Sequence, residues 1–276
     1  MSTALTRFNA NRLRFLVRVA VFVALALLGR WVFPILLDPV GDLLVVSALS
    51  TFATAGVANF VVVRGWENGK AADCGLGWSP HTVRDLGLGL AGGAGSAVLI
   101  IGGAFASRLA TFDAVTGVER LWANIPFLVV VLLFGSAGEE LLFHGYGFQV
   151  LTRDLGAFAT VLPVGVLFGL VHTGNQNVTV LAIVNTITWG VLLGCAYLRT
   201  RALWLPIGLH FGWNVAMPFL GINLSGFTIG VTGYALRWKI GDLWSGGAYG
   251  LEGGLFTTLM VAALFVLLYR VIPGRD

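Results

Sequence analysis

Runs of about 20 apolar residues, the length a helix needs to cross a hydrocarbon core of about 30 Å, recur throughout this chain. Eight candidate spans fall at about 15–37, 43–63, 85–106, 122–150, 155–172, 178–198, 202–220 and 252–272. A soluble fold cannot bury so much apolar surface, and the composition agrees: 57% of the 276 residues are hydrophobic and 11% charged. Soluble domains carry about a quarter charged residues, and disordered chains need low hydrophobicity and high net charge. The expected fold is all-α, a polytopic transmembrane helix bundle of about eight spans.

Charge sets an orientation. When alternate connections are assigned to opposite sides, Arg7, Arg12, Arg14, Arg18, Arg64, Lys70, Arg84, Arg153, Arg199, Arg201, Arg270 and Arg275 share the side of the N-terminus. Arg108, Arg120, Arg237 and Lys239 fall opposite, and Arg30 stays inside the first span. Cytoplasmic loops hold the excess of Lys and Arg, so both termini are expected in the cytoplasm of a multi-pass protein, with a bacterial cell membrane as the expected setting. The first span continues past Trp31 to Leu37 without a small-residue cleavage site, which favours an uncleaved helix over a signal peptide. The net charge of +4 is scattered between apolar runs rather than gathered on one face, so no nucleic-acid partner is expected. Cys74 and Cys195 offer neither metal spacing nor a disulfide framework. Ser79-Pro80 reads as an N-cap and first helical proline ahead of the third span. The Gly- and aromatic-rich segment 221–251 suits either a membrane-interface segment or an exposed loop. The expected organisation is therefore helices 1–3 with their connections over 1–120, a polar core over 121–220, and an interfacial loop with a last helix over 221–276.

Ionisable side chains near mid-membrane cost roughly 2.5–3.5 kcal/mol each and mark functional interiors. Three of the four histidines and, apart from those at span borders, two of the thirteen acids stand in these spans. Glu139, Glu140 and His144 lie in GSAGEELLFHG, His172 ends FGLVH, and His210 and Asn214 belong to LPIGLHFGWN. His210 and Asn214 are four apart and share a helix face, as do Glu140 and His144. Glu139 and Glu140 differ by about 100° around the axis, so one can face a cavity while the other meets a neighbouring helix. Straight helices put Glu139, His172, His210 and Asn214 at depths of roughly 18, 25, 12 and 18 Å from the cytoplasmic side, compatible with one polar cavity. Such a set suits hydrolysis: a carboxylate or carboxylate–imidazole pair deprotonates water, while a second histidine and an amide donate to an oxyanion.

These motifs resemble those of the CPBP family, also called the ABI or type II CAAX prenyl endopeptidase family. Its signatures EExxxR, FxxxH and HxxxN read here as Glu139-Glu140-Leu-Leu-Phe-His144, Phe168-Gly-Leu-Val-His172 and His210-Phe-Gly-Trp-Asn214. The resemblance covers about residues 125–218 and implies an intramembrane endopeptidase. By it, Glu139 and His172 activate water, His210 and Asn214 stabilise the oxyanion, and Glu140 supports the site. His144 stands where the family has Arg; unlike Arg, His pairs with a carboxylate as a cation only when protonated, which questions its support of Glu140. No cofactor is required on this reading. Zinc held by Glu139, His172 and His210 is the metalloprotease alternative, which the lack of an HExxH helix disfavours. The expected partners are the lipid bilayer and a peptide or membrane-protein substrate. A catalytically degenerate scaffold or bacteriocin-immunity factor and, behind it, a proton-coupled transporter are the competing functions.

Overall fold

The computed structural model describes residues 2–115 and 124–275. Arg120, the side chains of Arg7 and Arg12, and the first two residues of the 122–150 span lie outside the described residues. The elements are α1 (Ser2–Leu37), α2 (Leu43–Trp66), α3 (Thr82–Ala106), β1 (Ala110–Ala114), α4 (Ile125–His144), α5 (Tyr146–Leu155), α6 (Ala157–Leu170), α7 (Val180–Thr200), α8 (Trp204–Phe219), β2 (Tyr234–Trp238), α9 (Asp242–Ser245) and α10 (Leu255–Val271).

Every expected span meets a helix, and the chain is an all-α integral membrane bundle. Among the described residues, five stretches are long and apolar enough to cross a membrane: Leu13–Val40, Leu43–Trp66, Thr82–Ala106, Ile125–Leu155 and Val180–Thr200. The other three helices are shorter than expected, with 14 residues in α6, 16 in α8 and 17 in α10. At about 1.5 Å per residue they reach roughly 21, 24 and 26 Å, a little short of a straight crossing of the hydrocarbon core.

Small residues set the packing. In lipid, helices associate through close van der Waals contact where side chains are small. Helices α3 and α8 touch backbone to backbone: a Cβ at Gly93 would stand 2.1 Å from the Leu209 carbonyl oxygen. Gly138 likewise brings α4 close to α2, where a Cβ would lie 2.7 Å from the Phe52 Cα. The expected continuous helix over 122–150 instead breaks at Gly145, and the cause sits on α2. Buried Asn59 donates to the Leu141 carbonyl (2.9 Å) and accepts from the Tyr146 N–H (2.8 Å), satisfying the end of α4 and the start of α5. One side chain thus meets the orphan groups of both helix ends.

One end of the bundle carries the chain termini. There Arg275 makes a two-pronged bond to buried Asp85 (2.6 and 2.8 Å), and Arg199 holds the Ile272 carbonyl. Helix α3 starts at Thr82, two residues later than Ser79-Pro80 suggested. Those residues form the preceding turn, in which the Ser79 N–H donates to Thr82 Oγ1 (3.0 Å). Cys74 is buried in this connection, and that burial pushes its thiol pKa up. At the opposite end, β1 and β2 form a two-stranded antiparallel ribbon that hydropathy did not announce. Segment 221–251 is not a plain exposed loop: Ile222, Leu224, Val231 and Tyr249 are buried.

Candidate active site

Glu140 is fully enclosed: its side chain, like that of His144, is 0% exposed. Its two oxygens are separately engaged: His144 Nδ1–H donates to Oε2 and His210 Nδ1–H to Oε1, both at 2.8 Å. A carboxylate only accepts, so each ring carries its proton on Nδ1. The His144–Glu140 link spans one turn of α4, whereas the His210–Glu140 link ties α8 to α4. His144 therefore makes the contact that its replacement of Arg had put in question. Its Nε2 is buried without a partner, with the Phe148 ring edge-on at 5.1 Å.

Glu139 turns the other way, as the 100° offset requires. Its Oε2 is buried and has no hydrogen-bond partner, although the side chain as a whole keeps 28% exposure through its remaining atoms. Two imidazoles face that oxygen, His172 Nε2 at 3.8 Å and His210 Nε2 at 3.9 Å. His172 is oriented by its own helix, donating Nδ1–H to the Phe168 carbonyl one turn back (2.7 Å). The Phe168 ring lies beside both histidines, 5.0 Å from His172 and 5.9 Å from His210. Both Nε2 atoms are thus left free by what Nδ1 does. Asn214, one turn beyond His210, donates to Ser136 Oγ (3.2 Å).

Glu139, His172, His210 and Asn214 line one cavity of about 360 Å³. It runs from mid-bundle toward the ribbon end, where Leu44, Ser47, Asn175, Ser225 and Glu252 complete the wall. The four side chains singled out by sequence therefore share one polar space, while Glu140 and His144 lie behind it.

Two charged residues of the wall were not foreseen. Arg30 reaches the cavity from α1 and has no ion-pair partner among the described residues. Its sign in the sequence was a charge stranded within an apolar span. Glu252, on the turn Leu251–Gly253 ahead of α10, accepts from the Ser225 N–H and Oγ–H (2.6 and 2.9 Å) and from Trp213 Nε1–H (3.3 Å). Asn185 of α7 holds the same turn by its Glu252 and Gly254 carbonyls. An acid at the border of the last span was its only sequence signal.

As placed, Glu139, His172 and His210 stand wider apart than the ligands of a bound zinc. Ligand bonds of about 2.0–2.2 Å place tetrahedral donors roughly 3.4 Å apart, closer than the 3.8 and 3.9 Å found here. Among the described residues, no three His, Cys, Asp or Glu are gathered as a metal cluster. The spacing suits a water making hydrogen bonds of about 2.8 Å.

Fold and site together define a polytopic membrane protein with a carboxylate–histidine cavity. Residues 121–216 match the family described as type II CAAX prenyl endopeptidase Rce1-like, in keeping with the CPBP family that the motifs resemble. The matched segment contains all seven motif residues from Glu139 to Asn214. It supports a membrane endopeptidase of the CAAX-protease type. No curated protein and no solved structure matches the chain.

Proposed function

We propose that this chain hydrolyses a peptide bond by a metal-free, water-based mechanism in its membrane cavity. One observation carries it: a buried carboxylate oxygen without a partner, on Glu139, faced by two imidazole nitrogens. An unsatisfied buried acceptor costs roughly 1–3 kcal/mol and is retained where a ligand or water uses it.

Water bound between Glu139 and His172 gives a proton to the Glu139–His172 pair as its oxygen attacks the scissile carbonyl carbon. The π electron pair moves onto the carbonyl oxygen. That oxyanion is met by Asn214 Nδ2–H and His210 Nε2–H, donors that act on charge developing in the transition state. Because His210 already gives Nδ1–H to Glu140, donation from Nε2 uses the imidazolium form, with Glu140 as counter-ion. Collapse of the tetrahedral intermediate breaks the C–N bond, and the proton first taken from water passes to the departing amine. Glu140 and His144 are positioning residues: they hold His210 and touch no reacting atom. The separations around Glu139 support the metal-free form over a zinc peptidase.

The twelve-to-four charge bias supports cytoplasmic termini, and on that orientation the cavity occupies the half of the bundle away from the cytoplasm. Peptides or membrane-protein segments reaching that half are the substrates. The test is a processing assay with Glu139→Gln and His210→Ala, each shown to insert normally. Loss of cleavage in both supports the mechanism; unchanged cleavage in either refutes the role of that residue. Altered proton flux in liposomes without any cleavage would point to a transporter.

A further inference from the structure

A second cavity, of about 510 Å³, lies at the terminus-bearing end of the bundle, where α5, α6 and α7 meet. Its wall is made by Gln149, Thr152 and Arg153 of α5, Ala157 at the start of α6, and Tyr197 and Arg201 at the end of α7. None of these residues belongs to the motifs above.

Hydrogen-bond donors dominate this wall. Gln149 Nε2 and Thr152 Oγ1 are buried with no hydrogen-bond partner. A buried amide N–H or hydroxyl left unmet costs roughly 1–3 kcal/mol, so two of them together point to an acceptor that completes them. Ala157 opens the 14-residue α6, whose N-cap Gly156 has no side chain to cap the first turn. The unmet N–H groups and positive dipole end of a helix favour anions there. Arg201, the α7 C-cap, adopts a left-handed backbone (φ 53°) and has no ion-pair partner among the described residues. Arg153 reaches Asp154 only at 3.8 Å on the surface, a spacing that leaves its guanidinium available. Asp154 is not part of the wall.

We infer that this cavity binds a phosphate oxyanion group, gripped by Arg153, Arg201, Gln149 and Thr152 at the mouth of α6. Two sources share that chemistry: the headgroup of an anionic phospholipid and a free phosphate. The lipid is favoured by position, since basic pockets between helices at the cytoplasmic headgroup level take anionic lipid heads. This inference is independent of the peptidase activity.

The full chain, delipidated in a neutral detergent, is titrated with phosphatidylglycerol, phosphatidylcholine and inorganic phosphate, and bound lipid and thermal midpoint are followed by native mass spectrometry and melting. Phosphatidylglycerol is expected to bind at least about ten-fold more tightly than phosphatidylcholine. Arg153→Gln and Arg201→Gln are each expected to weaken it about five-fold, the factor for roughly 1 kcal/mol per basic residue near an anionic surface. The Arg153→Lys/Arg201→Lys pair keeps most of the preference. Protection by inorganic phosphate, without preference for the anionic lipid, assigns the cavity to the soluble ion. Equal binding of both lipids with no phosphate effect overturns the inference, as does an undiminished preference in the double Gln variant. Should the Gln variants misfold, the wild-type titration decides alone.

Discussion

Adjacent carboxylates with opposite surroundings should respond oppositely to the same chemical change. Glu140 is fully enclosed and accepts from two imidazoles at 2.8 Å. Replacing it by Gln removes the charge both rings answer and sets an amide NH₂ against at least one Nδ1–H. Breaking a buried pair by removing one partner costs about 3–5 kcal/mol, so Glu140→Gln should unfold well below the wild type. Glu139 has a buried oxygen that nothing satisfies. Glu139→Gln keeps the shape and removes the buried charge, so its unfolding free energy should equal or exceed the wild-type value, by at most about 1–3 kcal/mol. Its peptide hydrolysis should fall roughly a hundred- to ten-thousand-fold, the usual contribution of a general base. Melting in one detergent and hydrolysis of a fluorogenic peptide, measured on the same preparations, read both effects. A destabilised Glu139→Gln beside an intact Glu140→Gln would refute this division of labour.

Further outcomes follow from packing and site geometry. Gly93→Ala forces a methyl into the Leu209 carbonyl and should cost about 1–3 kcal/mol by overpacking, while moving His210 and lowering activity; melting and turnover check both. Glu252→Gln loosens Ser225 and Trp213, and the connector between α8 and α10 should then be cut faster in limited proteolysis. Chelators should leave hydrolysis unchanged, and added zinc should not raise it; activity lost to a chelator and restored by zinc would reverse the metal-free assignment. In a background lacking Cys74 and Cys195, Asn175→Cys should react with a membrane-impermeant maleimide added to whole cells. Labelling only after lysis would invert the orientation.

The gathering of the candidate site residues was the most legible part of this chain. Glu139, His172, His210 and Asn214 stand out because charge and amide groups are expensive in apolar runs, and all four do line one cavity. The opposite facings of Glu139 and Glu140 followed from helical geometry alone. What stayed hidden depends on partners far away in sequence. The break at Gly145 is made by Asn59, a residue 82 positions before Leu141, and no local pattern signals it. The ribbon joins Ala110 to Trp238 across most of the intervening bundle. Glu252 enters the site only because Asn185 and Ser225 draw its turn inward. Helix lengths were overestimated for α6, α8 and α10, since hydropathy measures apolar content and does not see where the backbone leaves the helix.

The brevity of α6 has a consequence for hydration. Fourteen residues reach about 21 Å, and the chain then unwinds through His172 toward the cap of α7 at Thr179. Irregular backbone at membrane depth exists only where protein encloses it or water wets it. On the hydrolytic reading proposed above, the abbreviated helix offers an inlet by which water reaches His172 along uncoiled peptide groups, without parting the lipid.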